Sequence, residues 1–147
     1  LGPGFPKELE PVKQHILAAS KASGVDANLI TAVIMNEAKG RFQDGINGTL
    51  QYGLMQVDPN TYKLELQPKY HLSGDNINDP QINIMAGAFH LKENIAQFGS
   101  IPVALRAYNS GPNGVDRNNL SALPSGTGTA NYVDSVMQNY NLVKGGG

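Results

Sequence analysis

Apolar residues recur at Ile84, Ala88, Leu91, Ile95 and Phe98, a 4-3-4-3 rhythm that puts them all on one face of a helix. Asp79-Pro80 before the run is a helix start, and Gly99 after it is a stop. A helix with one apolar stripe needs partners, and the rest of the chain offers them with the same period. Leu9, Val12, Ile16, Ala19 and Ala22 predict one amphipathic helix ended by Gly24. Asp26 suits the N-cap of the next, whose buried face includes Leu29, Ile30, Val33 and Ile34. Pro102 opens a short helix through Val103, Ala104, Leu105 and Tyr108. Tyr132, Val133, Val136, Met137 and Tyr140 fit a last helix, with Thr129 as its cap. Between Lys39 and Asn78 the rhythm fades among Gly40, Gly45, Gly48, Gly53, Pro59 and Pro68, which reads as loop, short helix or short strand. No sustained strand pattern occurs. The expectation is one mainly α domain (α+β at most), with a small β element in the loop after Glu37.

Its 147 residues suit a single core. A net charge of −1 gives no global signature of nucleic-acid binding or of a polybasic membrane surface. No apolar run approaches the roughly 20 residues of a membrane span. The absence of cysteine excludes disulfides, thiolate metal sites and a Cys nucleophile. His15, His71 and His90 are scattered without ligand spacing, so neither a metal nor another cofactor is expected. No Gly-x-Ser-x-Gly elbow supports a serine hydrolase. The chain starts Leu1-Gly2-Pro3-Gly4 and ends Gly145-Gly146-Gly147, which read as cut edges of a longer protein. We therefore expect residues 1–7 to be a linker remnant, 8–143 a catalytic domain and 144–147 a flexible tail.

Chemistry concentrates where regular structure breaks. Glu37 closes the apolar run Leu29 to Asn36 and precedes a glycine-rich loop. A carboxyl at the edge of a buried helix face holds its proton to higher pH, as a general acid requires. Gly53-Leu54-Met55-Gln56-Val57-Asp58, Ala107-Tyr108-Asn109-Ser110-Gly111-Pro112 and Asn131-Tyr132-Val133 are the other unusual segments. The set is coherent for a sugar polymer. A protonated carboxyl can donate to a glycosidic oxygen. The amides of Gln56 and Asn109 offer donors and acceptors to acetamido and hydroxyl groups. Tyr108 and Tyr132 can stack on sugars or bond the acid, and Met55 can supply an adaptable apolar wall.

In this order the segments resemble the goose-type lysozyme and soluble lytic transglycosylase (SLT) family, glycoside hydrolase family 23, over roughly Val25 to Tyr140. The shared pattern is a Glu ending a buried helix, Gly-Leu-Met-Gln, Ala-Tyr-Asn followed by Gly, and a Tyr opening the final helix. The resemblance implies a lysozyme-like fold of helices around a peptidoglycan-binding cleft. It also implies cleavage of the β-1,4 bond between N-acetylmuramic acid and N-acetylglucosamine. Glu37 would be the catalytic acid, with Met55, Gln56, Tyr108 and Asn109 lining the cleft and Tyr132 bonding Glu37. Ala38 departs from the Ser that usually follows the acid in transglycosylases, which puts the hydrogen bonding near it in doubt. The substrate, peptidoglycan or a chitooligosaccharide, places the site of action outside the cytoplasm: periplasm, cell wall, secreted or virion-associated. The domain would belong to a larger protein or a cell-wall-penetrating machine.

The family contains two chemistries. As a transglycosylase, Glu37 acts as acid and then base, and the muramoyl 6-hydroxyl closes a 1,6-anhydro ring without a second carboxylate. As a goose-type lysozyme, a second carboxylate positions water. Asp58, directly after Gly-Leu-Met-Gln-Val, leads for that role, and Asp44 is second. Asp58 before Pro59 equally suits a cap, Asp44 beside Gly45 a turn, and Met55 plain packing. Pro59 tilts the balance to transglycosylase, since Gln-x-x-Pro is common in that branch. A non-catalytic glycan-binding module with the same cleft is the rival from another class.

Overall fold

The computed structural model describes residues 1–145. Its helices are α1 (Lys13–Ser23), α2 (Ala27–Glu37), α3 (Phe42–Ile46), α4 (Pro59–Thr61), α5 (Gln67–Tyr70), α6 (Pro80–Phe98), α7 (Ile101–Ser110) and α8 (Tyr132–Gly145). A 3-10 turn at Lys7–Val12 precedes α1, and another at Pro124–Gly126 interrupts the long loop before α8. No strand occurs among the described residues, so the small β element expected after Glu37 is replaced by α3 and turns.

The fold is built around α2. From Leu29 to Ile34 every residue is buried, which is the pattern of a helix enclosed on all sides. Helix α8 packs along α2, α1 lies against α6, and α6 against α7. The local stop and start signals act as read. Gly24 and Gly99 end α1 and α6 in the left-handed conformation, with φ of 82° and 69°. The carboxylates of Asp26 and Asp79 accept from the backbone N–H groups of Asn28 and Ile82.

Two segments differ from the sequence reading. The first helix is split: the ring of Pro11 falls inside the run, so Lys7–Val12 winds as a 3-10 turn before α1 begins. The stretch read as broken by Pro59 and Pro68 is helical from 59 to 70, because each proline occupies a first-turn position where its missing N–H is not needed. Its centre, Tyr62–Leu66, is a wide π-type turn. The N-terminal residues pack on the helices. Gly2 donates to Asn28 Oδ1 at 2.8 Å, Gly4 donates to the Val143 carbonyl at 3.1 Å, and Phe5 packs on the core. Lys144 and Gly145 continue α8, with the Lys144 ammonium 3.9 Å from the Tyr140 ring centre; the rest of the expected tail lies outside the described residues.

Candidate active site

Glu37 is the last residue of α2. The helix stops there because Ala38 leaves the helical backbone region and Gly40 turns with φ 76°. Arg41 then folds back and donates to the Glu37 carbonyl at 2.9 Å, satisfying a helix-end acceptor. The Glu37 side chain is half-buried. Burial raises its pKa from the ordinary 4.5 to about 7, against opposing effects of the Tyr132 hydrogen bond and the Arg41 charge. The carbonyl end of a helix is also unfavourable for a negative charge. The group therefore titrates near neutrality, where an acid that must later act as a base is best placed. Ala38 is wholly buried, so the position where transglycosylases usually carry Ser holds an enclosed methyl.

Tyr132, at the first turn of α8, donates its hydroxyl to Glu37 Oε2 at 2.7 Å. Its ring is only 2 % exposed, and burial together with the Glu37 charge raises its pKa well above the ordinary range. Tyr108 is enclosed on α7 and feels the same charge. Its hydroxyl donates to the Met55 carbonyl at 2.6 Å, tying α7 to the loop before α4.

That loop, residues 50–57, is held by a residue the sequence reading passed over. Asn83 of α6 has no exposed surface. Its Oδ1 accepts from Met55 N–H at 2.7 Å, and its Nδ2 donates to the carbonyls of Tyr52 and Ile77 at 2.6 and 2.7 Å. Gly53 needs to be glycine here, since its φ is 72° and a Cβ would collide with the Asn83 amide. Gln56 also turns with positive φ, 50°, and folds its Nε2 onto the carbonyls of Gln51 and Gly53 at 2.8 and 2.9 Å.

An open cleft of about 750 Å³ runs beside these groups. Gln56, Asp58, Tyr108 and Asn109 line it, along with His90, Glu93 and Asn94 from α6. Glu37 is not one of its wall residues; Tyr108, which both lines the cleft and senses the Glu37 charge, links the two. Burial pushes His90 down to about 4, so it is neutral at neutral pH, and its ring lies 4.8 Å from that of Tyr108.

The remaining candidates are placed differently from one another. Met55 is fully buried and packs on Gly87, where no Cβ would fit, so its side chain belongs to the core and not to the cleft wall. Asp58 lines the cleft, but its Oδ1 caps α4, accepting from Asn60 N–H at 2.7 Å and Thr61 N–H at 3.2 Å. Asp44 is exposed on α3, away from the cleft walls. Neither aspartate figures among the charges that act on Glu37. Asn109 lines the cleft while its Oδ1 is committed internally, accepting from Thr129 N–H at 2.7 Å and from Arg106. Among the described residues no group of three or more His, Asp or Glu gathers as a metal site, and no helix is long and apolar enough to cross a membrane.

A bundle of helices about a cleft, with a half-buried carboxyl beside it that holds its proton to about pH 7, defines a lysozyme-like helical domain. The sequence model of the transglycosylase SLT domain matches residues 14–126, and the chain belongs to that family. It is 34 % identical over 132 residues to the transglycosylase of Enterobacteria phage PRD1, across 90 % of this chain and 44 % of the phage protein. It is 31 % identical over 124 residues to the X polypeptide of Escherichia coli, and 33 % to that of strain K12, in each case across 82 % of this chain and 68 % of the relative. The chain thus spans less than half the length of the phage relative.

Proposed function

We propose that this domain is a peptidoglycan lytic transglycosylase, cleaving the β-1,4 bond between N-acetylmuramic acid and N-acetylglucosamine with Glu37 as acid and then base. The observation that carries this reading is the Glu37 carboxyl itself, held near pKa 7 by burial and hydrogen-bonded by Tyr132. Family membership gives the reaction class.

In the first step protonated Glu37 gives its proton to the glycosidic oxygen as the bond from that oxygen to the muramoyl anomeric carbon breaks. The neighbouring acetamido oxygen stabilises the carbon. In the second step the Glu37 carboxylate removes the proton from the muramoyl 6-hydroxyl, whose oxygen closes onto the anomeric carbon. The product is a 1,6-anhydro end, no water is consumed, and Glu37 is reprotonated for the next cycle. An internal nucleophile has a high effective molarity, so one carboxyl suffices. Gln56, with Nε2 committed to backbone carbonyls, offers its amide oxygen to substrate donors. Asn109, with Oδ1 committed, offers Nδ2.

The hydrolytic alternative has one observation in its favour, the place of Asp58 on the cleft wall. One of its two oxygens, Oδ1, is engaged as a helix cap, and the single-carboxyl route does not need the other. Mass spectrometry of fragments released from purified sacculi separates the two: anhydro ends, lighter by one water, are expected, and reducing ends would overturn the assignment. The Glu37→Gln variant should lose at least about 10²-fold in rate. Sacculus binding with no soluble product from the unaltered chain would instead indicate a glycan-binding module. The substrate lies outside the cytoplasmic membrane, so the domain acts from the periplasm, the cell wall or a virion, as part of a larger protein.

A further inference from the structure

Arg106, in the middle of α7, has no exposed surface and is among the largest enclosed side chains. A guanidinium keeps its charge, and enclosing a charge is costly unless its donors are met. Neither ion pair among the described residues involves it. Neutral oxygens meet it instead. Nη1 donates to the carbonyls of Leu120 at 3.1 Å and Thr129 at 2.9 Å, Nη2 donates to Asn109 Oδ1, and Nε is enclosed without a partner. An apolar side chain of similar volume would fill this place at lower cost, so packing alone does not account for it.

The acceptors share a location. Asn109 Oδ1 also takes the N–H of Thr129, and the Thr129 carbonyl also takes the N–H of Tyr132 at 3.1 Å. Both backbone polar groups of Thr129 are therefore clamped through Arg106 and Asn109, three residues before the tyrosine that touches Glu37. We propose that Arg106 is a positioning residue for the acid: by fixing the entry to α8 it sets where the Tyr132 hydroxyl meets the Glu37 carboxyl. This rests on the reading of Glu37 as the acid. The clasp has no slack. Gly128 has φ 103°, and a Cβ there would run into Ser110 Oγ, Asn109 Oδ1 and Arg106 Nη2. The positive charge of Arg106 also opposes the rise that burial imposes on the Tyr132 phenol, which keeps that hydroxyl a stronger donor.

The test is titration of the Glu37 side-chain carboxyl by carbon-13 NMR, assigned by its loss in Glu37→Gln, with the pH profile of sacculus cleavage alongside. The Tyr132 bond lowers the Glu37 pKa, so Tyr132→Phe should raise it by about one pH unit. Arg106→Lys retains the charge but not the fork, and Gly128→Ala loads the clasp from the loop side with Arg106 in place. Each should raise the Glu37 pKa in the same direction and add nothing when combined with Tyr132→Phe. If Arg106→Lys does not fold, Gly128→Ala decides. Folded variants in which Glu37 titrates as in the unaltered chain, or in which the rise adds fully to that of Tyr132→Phe, would overturn the proposal. Retained cleavage by Glu37→Gln would refute the acid instead, and the carboxyl titration would still judge Arg106.

Discussion

Replacing Glu37 by Gln should make the domain more stable at neutral and alkaline pH, by an amount that depends on pH in a way fixed by the site. The folded carboxyl has its pKa raised from 4.5 to about 7. Between those values the native state holds a proton that the unfolded chain has released. Stability then falls as pH rises, because the slope follows the protons bound in the unfolded state minus those in the native state. At about 1.4 kcal/mol per pH unit, the rise corresponds to about 3 kcal/mol lost between pH 4.5 and 7, with a plateau above. The side chain is half-buried, so this is an upper figure. Glutamine has nearly the same shape, its amide oxygen can accept from Tyr132, and it does not titrate. Urea unfolding of both chains from pH 4 to 9 is the assay. The difference between them cancels every other titrating group. It should be flat below pH 4.5, grow in favour of Gln through pH 7 and level off. A pH-independent difference, or one favouring the Glu chain at high pH, would refute a proton-holding acid enclosed by the fold.

Cleavage should decline as pH rises through about 7 in kcat/KM measured on glycan fragments without ionisable stems, since Glu37 must begin protonated; a rate that climbs through that range would contradict the assignment. Asp58→Asn should leave the cap of α4 intact, because Asn caps as well as Asp, and should leave the rate within a few-fold of normal; a loss of 10²-fold in a folded variant would point to a second carboxylate. Gly53→Ala should lower stability by about 1–3 kcal/mol in thermal or urea unfolding, through a strained backbone and a collision with Asn83; an unchanged midpoint would show that the loop relaxes freely. Asn83→Ala removes one end of three buried hydrogen bonds and should cost more than Gly53→Ala by the same measurement.

The parts of the fold that could be read in advance are those determined locally. Asp26 and Asp79 cap from within two or three residues, and Gly24 and Gly99 turn where the helix ends. Prolines were harder, since the same ring starts a helix at Pro59, behind the Asp58 cap, and interrupts one at Pro11; the position within the run decides. The candidate acid and its neighbours stand out as motifs because each sits at an element end. Met55 belongs to one of those motifs, yet the depth of its side chain depends on Gly87, a residue on another helix. Asn83 and Arg106 gave no usable signal. Each is a polar residue flanked by apolar neighbours, Ile82 and Ile84 for Asn83, Leu105 and Ala107 for Arg106, and the groups they hold lie elsewhere in the chain: Met55 for Asn83, Leu120 and Thr129 for Arg106. Long-range polar matching has no period to read.

The bond from Tyr132 to Glu37 spans 95 positions of sequence and joins the end of α2 to the start of α8. During synthesis the carboxyl is made long before the helix that carries its hydrogen-bond partner. Until α8 docks, the carboxyl lacks the Tyr132 hydroxyl that meets it in the folded domain. A chain cut before Tyr132 would carry the carboxyl without that partner. The bond therefore forms only once elements from opposite ends of the domain have met, and the site is a product of the tertiary fold rather than of any one segment.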